Sequence, residues 1–142
     1  MVIQRWQSVF LLLAAIFMAL FTFTSFASVT GADAAAVDIS PKDFPVYLVL
    51  NLLTTTLLLI SIFLYRNLKL QKKVTKLSIL LLFGSAVTGA VLMYGPNAPE
   101  GDVAPVVAGG VLLLVGAIVF AILALRGIKK DQNTLASYDR LR

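Results

Sequence analysis

Cysteine and histidine are both missing from this 142-residue chain. Without cysteine there are no disulfides, thiolate metal sites or sulfur nucleophiles. Without histidine the commonest general base and metal ligand is gone. Charge is scarce too: 13% of residues are charged, against about 25% in soluble domains, and 59% are hydrophobic. A soluble domain of this length has too little interior to hide that much apolar surface, so lipid must be part of the solvent.

Four runs carry no charged residue: 8–26, 44–65, 77–94 and 103–125, of 19, 22, 18 and 23 residues. Crossing the hydrocarbon takes about 17–25 residues as a helix, so all four qualify. Helix is the required form, because a segment in lipid must satisfy its own backbone polar groups. The expected fold class is therefore all-α: a single domain over 1–142, with four transmembrane helices. Short connectors predict an up-down-up-down antiparallel bundle. Arg5, the first run and the small residues Ser25, Ala27, Ala32 and Ala34 have the layout of a secretory signal peptide. The run's 19 residues exceed the ~7–15 of a signal core, and we expect it to be retained as a span. Asp43 before Phe44-Pro45, and Asp102 before Pro105, predict N-caps with first-turn prolines. Gly95-Pro96 and Gly127 predict the ends of the third and fourth helices.

What charge there is lies between the runs. If the N-terminus, the 66–76 loop and the 126–142 tail share one side, that side collects eleven basic residues against Asp131 and Asp139. The other side holds Lys42 against Asp33, Asp38, Asp43, Glu100 and Asp102. An excess of Lys and Arg in short loops marks the cytoplasmic side, so both termini are expected there. Trp6, Tyr47, Tyr65 and Tyr94 fall at predicted helix ends, where amphipathic rings sit among headgroups.

The basic loop holds Arg66, Lys69, Lys72, Lys73 and Lys76, spaced three, three, one and three apart. On a helix they share one face, suited to anionic headgroups at about 1 kcal/mol per cation. Retaining the loop in the cytoplasm also accounts for them. With Arg140 and Arg142 of the tail they are the candidate lipid or partner contacts. Nucleic acid is not expected, since no aromatic interleaves with these charges.

Helices in lipid associate through small residues and inter-helix hydrogen bonds. Asn51, Thr54, Thr55 and Ser61 share a face of the second helix, Ser78, Ser85 and Gly89 one of the third, and Gly110, Ala117, Ala121 and Ala124 one of the fourth. These stripes are expected to face inward. Asn51, Thr55, Ser85 and Gly89 are thus helix-packing candidates, and Asn51 either lines a path or bonds a neighbouring helix. No run contains Asp, Glu, Lys, Arg or His, which argues against proton-coupled transport. Gly109-Gly110 reads as a close contact, and Asp33, Asp38 and Asp43 as solvated charge. No catalytic residue, cofactor or metal is expected. The leading reading is a non-catalytic accessory or scaffold subunit whose basic face meets anionic lipid or a larger membrane complex. The alternative is a small oligomeric transporter or channel with a path lined by Asn51, Thr55 and Ser85.

Both ends of the chain carry a resemblance. Gln4, Arg5, Gln7 and Ser8 at the start, and Ser137, Asp139, Arg140 and Arg142 at the end, resemble a Bacteroidota family of four-pass membrane proteins known only as a domain of unknown function. Ala136 departs from that pattern, where an Arg is expected. The resemblance implies a bacterial inner membrane and brings no activity. It draws attention to a contact between the N-terminus and the tail, such as Arg5 with Asp139.

Overall fold

The computed structural model describes residues 2–33 and 35–141. Each apolar run forms a helix, whose ladder satisfies the backbone internally. Helix α1 spans Val2–Phe23, α2 Pro45–Phe63, α3 Leu68–Tyr94 and α4 Leu112–Arg140. All four are long and apolar enough to cross a membrane. They close a ring, with α1 against α2 and α4, and α3 against α2 and α4. Asn51 opposite Ser85, and Ser61 opposite Thr75, show α2 and α3 running antiparallel.

The small-residue stripes are inside. Ala117, Ala121 and Ala124 of α4 are fully buried, as are Asn51, Thr54, Ser61, Ser78 and Ser85. Ala14 and Ala15 of α1 face them, and Leu11, Met18, Phe21, Leu58 and Leu82 fill the remaining space. Outward residues are large and apolar: Val46, Phe63 and Phe23 are 80%, 78% and 68% exposed. An apolar belt of this extent suits lipid tails rather than water.

Several boundaries differ from expectation. The segment 66–76 is mostly not a loop: only a turn, Leu64–Arg66, and Asn67 connect α2 to α3, and the four lysines lie on α3. Helix α4 does not stop at Gly127. It continues to Arg140, and Gly127 instead makes room for α1, a Cβ there lying 2.8 Å from Cγ of Gln7. Gly95 does end α3, with its N–H donating to the Val91 carbonyl at 2.7 Å, but in an extended rather than left-handed conformation.

The chain is mostly helical but not all-α. At the end opposite the lysines, strands β1 (Ala27–Thr30), β2 (Ala36–Ile39) and β3 (Asp102–Pro105) form a three-stranded antiparallel sheet with β1 in the centre. Ser28 stands opposite both Asp38 and Ala104. The stretch between the first two apolar runs therefore pairs with residues expected to open the fourth helix. Asp102 is a strand residue rather than a cap, and Pro105 ends an edge strand, where a missing N–H is tolerated. A wide helical turn, Val107–Val111, leads into α4. Its Gly110 N–H donates to the Ser25 carbonyl at 3.1 Å, an approach that leaves a Cβ only 2.7 Å from the Phe26 Cα. Asp43 is not the cap of α2 either. It closes a turn, Pro41–Asp43, in which its carboxylate accepts from the Ser40 N–H at 2.9 Å and the Ser40 hydroxyl at 3.0 Å.

Candidate functional site

Two polar regions stand out, one inside the bundle and one at the end away from the sheet. Within the bundle, the α2 stripe meets the α3 stripe. The Asn51 amide nitrogen donates to the Tyr47 carbonyl at 2.8 Å, and its oxygen accepts from the Ser85 hydroxyl, also at 2.8 Å. The Tyr47 hydroxyl donates to the Ser85 carbonyl at 3.0 Å. Thr55 is only part-buried, and its hydroxyl returns to the Asn51 carbonyl of its own helix. Gly89 is where Tyr47 fits: a Cβ there would stand 2.9 Å from the Tyr47 hydroxyl. Asn51, Ser85 and Gly89 are thus brought together, with Thr55 at their edge, and direct contacts occupy the space between them.

Tyr47 departs from expectation. It is 1% exposed and stacks edge-on against Phe21 and Phe26, so it belongs to the interior rather than to a headgroup belt. Trp6, Tyr65 and Tyr94 are exposed at helix ends.

Nearly three turns toward the lysine end, Ser61 and Thr75 share a hydrogen bond of 2.6 Å, and the Gln71 amide donates to the Ser61 carbonyl at 3.0 Å. The Gln71 carbonyl oxygen is buried and has no partner among the described residues. On the α1–α4 side the Gln7 amide donates to the Asp131 carboxylate. Asp131, expected in a solvated tail, is 7% exposed. The signal was in the spacing: Ala117, Ala121, Ala124, Ile128 and Asp131 recur at four and three, one inward stripe of α4.

A contact between the N-terminus and the tail therefore exists, but through Gln7 and Asp131. The Arg5 side chain and Arg142 lie outside what is described. Asp139 is exposed and faces a different element. It lines a cleft of about 950 Å³ between the start of α3 and the end of α4. Arg66, Lys69, Lys72, Lys73 and Lys76 all line that cleft, with Leu135 and Ala136 on the α4 side. Arg140 is not on that wall; it borders a smaller hollow beside Ser137.

Electrostatically the cleft is unbalanced. A helix start favours negative charge, yet the first turn of α3 has none, and Lys69, Lys72 and Lys73 add to its positive end. Asn67 caps one amide, its side-chain oxygen accepting from the Leu70 N–H at 3.2 Å. The Arg66 guanidinium lies over the Tyr65 ring, 5.8 Å from its centre.

The comparisons with known proteins add one match. No curated protein matches the chain significantly. A family model described as "Domain of unknown function (DUF4293)" matches residues 3–141, nearly the whole length, and the chain belongs to that family.

Proposed function

We propose that this is a non-catalytic, four-pass protein of the bacterial inner membrane. Both its termini lie in the cytoplasm, and it acts there as an accessory or scaffold subunit. Its basic end meets a partner complex or anionic lipid, while the bundle holds that end at the membrane surface. The observation that carries this reading is the separation of charge along the bundle. The lysines of α3 and the cations of α4 gather at one end, and Asp33, Asp38, Asp43, Glu100 and Asp102 surround the sheet at the other. Cations held on the cytoplasmic side orient a membrane protein and are then available to anionic partners there. The interior supports an assembly role over a transport role, since Asn51 and Ser85 spend their hydrogen bonds on each other and on Tyr47.

Native electrophoresis of the full chain, extracted in mild detergent from its own membrane, tests this. The wild type should migrate in a species larger than the protein alone. Changing Lys69, Lys72 and Lys73 to Gln should release it, whereas Asp33→Asn with Asp38→Asn should not. Migration independent of the lysines, or ion flux through purified protein in vesicles, would overturn the reading.

A further inference from the structure

We infer that the cleft between the start of α3 and the end of α4 is a binding site for one anionic glycerophospholipid, its phosphate among the lysines and an acyl chain on the outer face of α3. The inference rests on the membrane reading above and gives the basic end a specific ligand. Five cations, Arg66, Lys69, Lys72, Lys73 and Lys76, line the cleft against the single carboxylate of Asp139. The positive end of α3 adds to them, with no acid in its first turn. The volume of about 950 Å³ is ample for a phosphate and glycerol. A charge excess of this kind calls for an anion.

The face below the cleft says which anion. Lys69, Lys72, Lys73 and Lys76 occupy one stripe of α3, and at 100° per residue that stripe continues through Leu80, Phe83 and Val87. Those three are 66%, 50% and 63% exposed. Gly84 beside them leaves open space, with nothing within 4 Å of where a Cβ would be. One helical face thus turns from cationic to apolar between Lys76 and Leu80, about 6 Å along the axis. A free phosphate would use only the upper part. A phospholipid matches both, and Leu68, Leu135 and Ala136 add apolar lining to the cleft itself.

Native mass spectrometry of the purified full chain, given phosphatidylglycerol or phosphatidylcholine in turn, tests the site. Phosphatidylglycerol should be retained about tenfold more strongly, given ~1 kcal/mol per engaged cation. Lys72→Gln with Lys73→Gln should abolish the preference, and Lys129→Gln with Lys130→Gln, outside the cleft, should keep it. Ala136→Trp obstructs the cleft without changing charge, at an exposed position where folding is not at stake, and should also abolish the preference. Inorganic phosphate at equal concentration should not displace the lipid. Equal retention of both lipids, retention unaffected by Ala136→Trp, or displacement by inorganic phosphate would overturn the inference. Should the preference be missing while assembly still depends on the lysines, the lipid site falls and the accessory role stands.

Discussion

Gln7 and Asp131 stand 124 positions apart and are joined by a hydrogen bond inside the bundle, tying the first helix to the last. Gly127, one turn before Asp131, leaves the room that the Gln7 side chain occupies. Replacing Gln7 by Ala leaves a buried carboxylate without this donor. Hydrogen bonds to charged groups contribute about 1.5–3 kcal/mol, so Gln7→Ala should lower unfolding free energy by roughly 2 kcal/mol. The double variant with Asp131→Ala should lose less than the sum of the two single changes, because the pair acts as a unit. Unfolding in detergent, followed by circular dichroism, measures all three; strict additivity would mean that the bond is energetically silent.

The fit of Tyr47 against Gly89 gives a sign-reversing prediction. Gly89→Ala places a methyl 2.9 Å from the phenol oxygen but 3.6 Å from the ring carbon bearing it. Overpacking of this kind costs about 1–3 kcal/mol. Removing the oxygen by Tyr47→Phe leaves an ordinary contact, so Gly89→Ala should be neutral or stabilising in that background. The same denaturation experiment reads it, and equal losses in both backgrounds would contradict the geometry.

Asn51 tests assembly against transport. Asn51→Leu removes the acceptor of the Ser85 hydroxyl and should cost about 0.6–1.7 kcal/mol, from the average to the maximum measured for hydrogen bonds between membrane helices. If packing is its role, the loss appears in thermal stability and in the fraction of native-sized complex. An unchanged complex that has lost a measurable flux would instead revive a path through Asn51, Thr55 and Ser85.

What was legible in the sequence follows from how locally each feature is determined. The four helices are dictated by unbroken apolar runs, and inward stripes such as Ser78, Ser85 and Gly89 follow from helical spacing alone. The sheet is different. Its strands are four residues each, and β1 pairs with β3, 72 to 78 positions away. Asp102 followed by Pro105 satisfies the rules for a helix start and for an edge strand equally well, and only the partner strand decides. Gly127 read as a stop because a close neighbour such as Gln7 is invisible locally. The basic cleft was half legible: the lysine face was in the spacing, but its opposite wall on α4 required the helix to continue past Gly127.

The junction between sheet and bundle offers a contrast of two glycines. Gly110→Ala drives a methyl to 2.7 Å from both the Phe26 Cα and the Ser25 carbonyl oxygen, backbone atoms that cannot swing aside. It should destabilise by about 2 kcal/mol, within the range for overpacking. Gly84→Ala meets open space and should be neutral or gain up to about 1 kcal/mol from helix propensity. Equal melting temperatures for the two variants would show that the approach of Val107–Val111 to the exit of α1 is not as close as described.

Asp43 gives the sheet end a pH dependence. Hydrogen bonds from the Ser40 backbone N–H, then from its hydroxyl, hold the Asp43 carboxyl below its ordinary value of 3.8. A carboxyl lowered in the folded state binds its proton more readily when unfolded. Its contribution is therefore complete above 3.8 and is lost as pH falls through the lower folded value. Ser40→Ala removes the hydroxyl and should move the Asp43 titration upward toward 3.8, as followed by carboxyl-carbon NMR. An unmoved titration would mean that the backbone N–H alone sets it.

Orientation is testable cleanly because the chain has no cysteine, so any thiol introduced is the only one. Val37 on β2 and Ser137 near the end of α4 are both exposed and lie at opposite ends of the bundle. If the lysine end faces the cytoplasm, a membrane-impermeant maleimide added to intact inner-membrane spheroplasts should label Val37→Cys and leave Ser137→Cys untouched. Lysing the cells should then expose Ser137→Cys. On the proposed orientation the driving force is the Lys and Arg excess beside the helices, so changing Lys69, Lys72, Lys73 and Lys76 to Gln should yield a fraction labelled in the opposite sense. Labelling of Ser137→Cys from outside in the unaltered charge background would invert the orientation. It would also remove the cytoplasmic partner from the proposed function, since the cleft between α3 and α4 would then open on the wrong side.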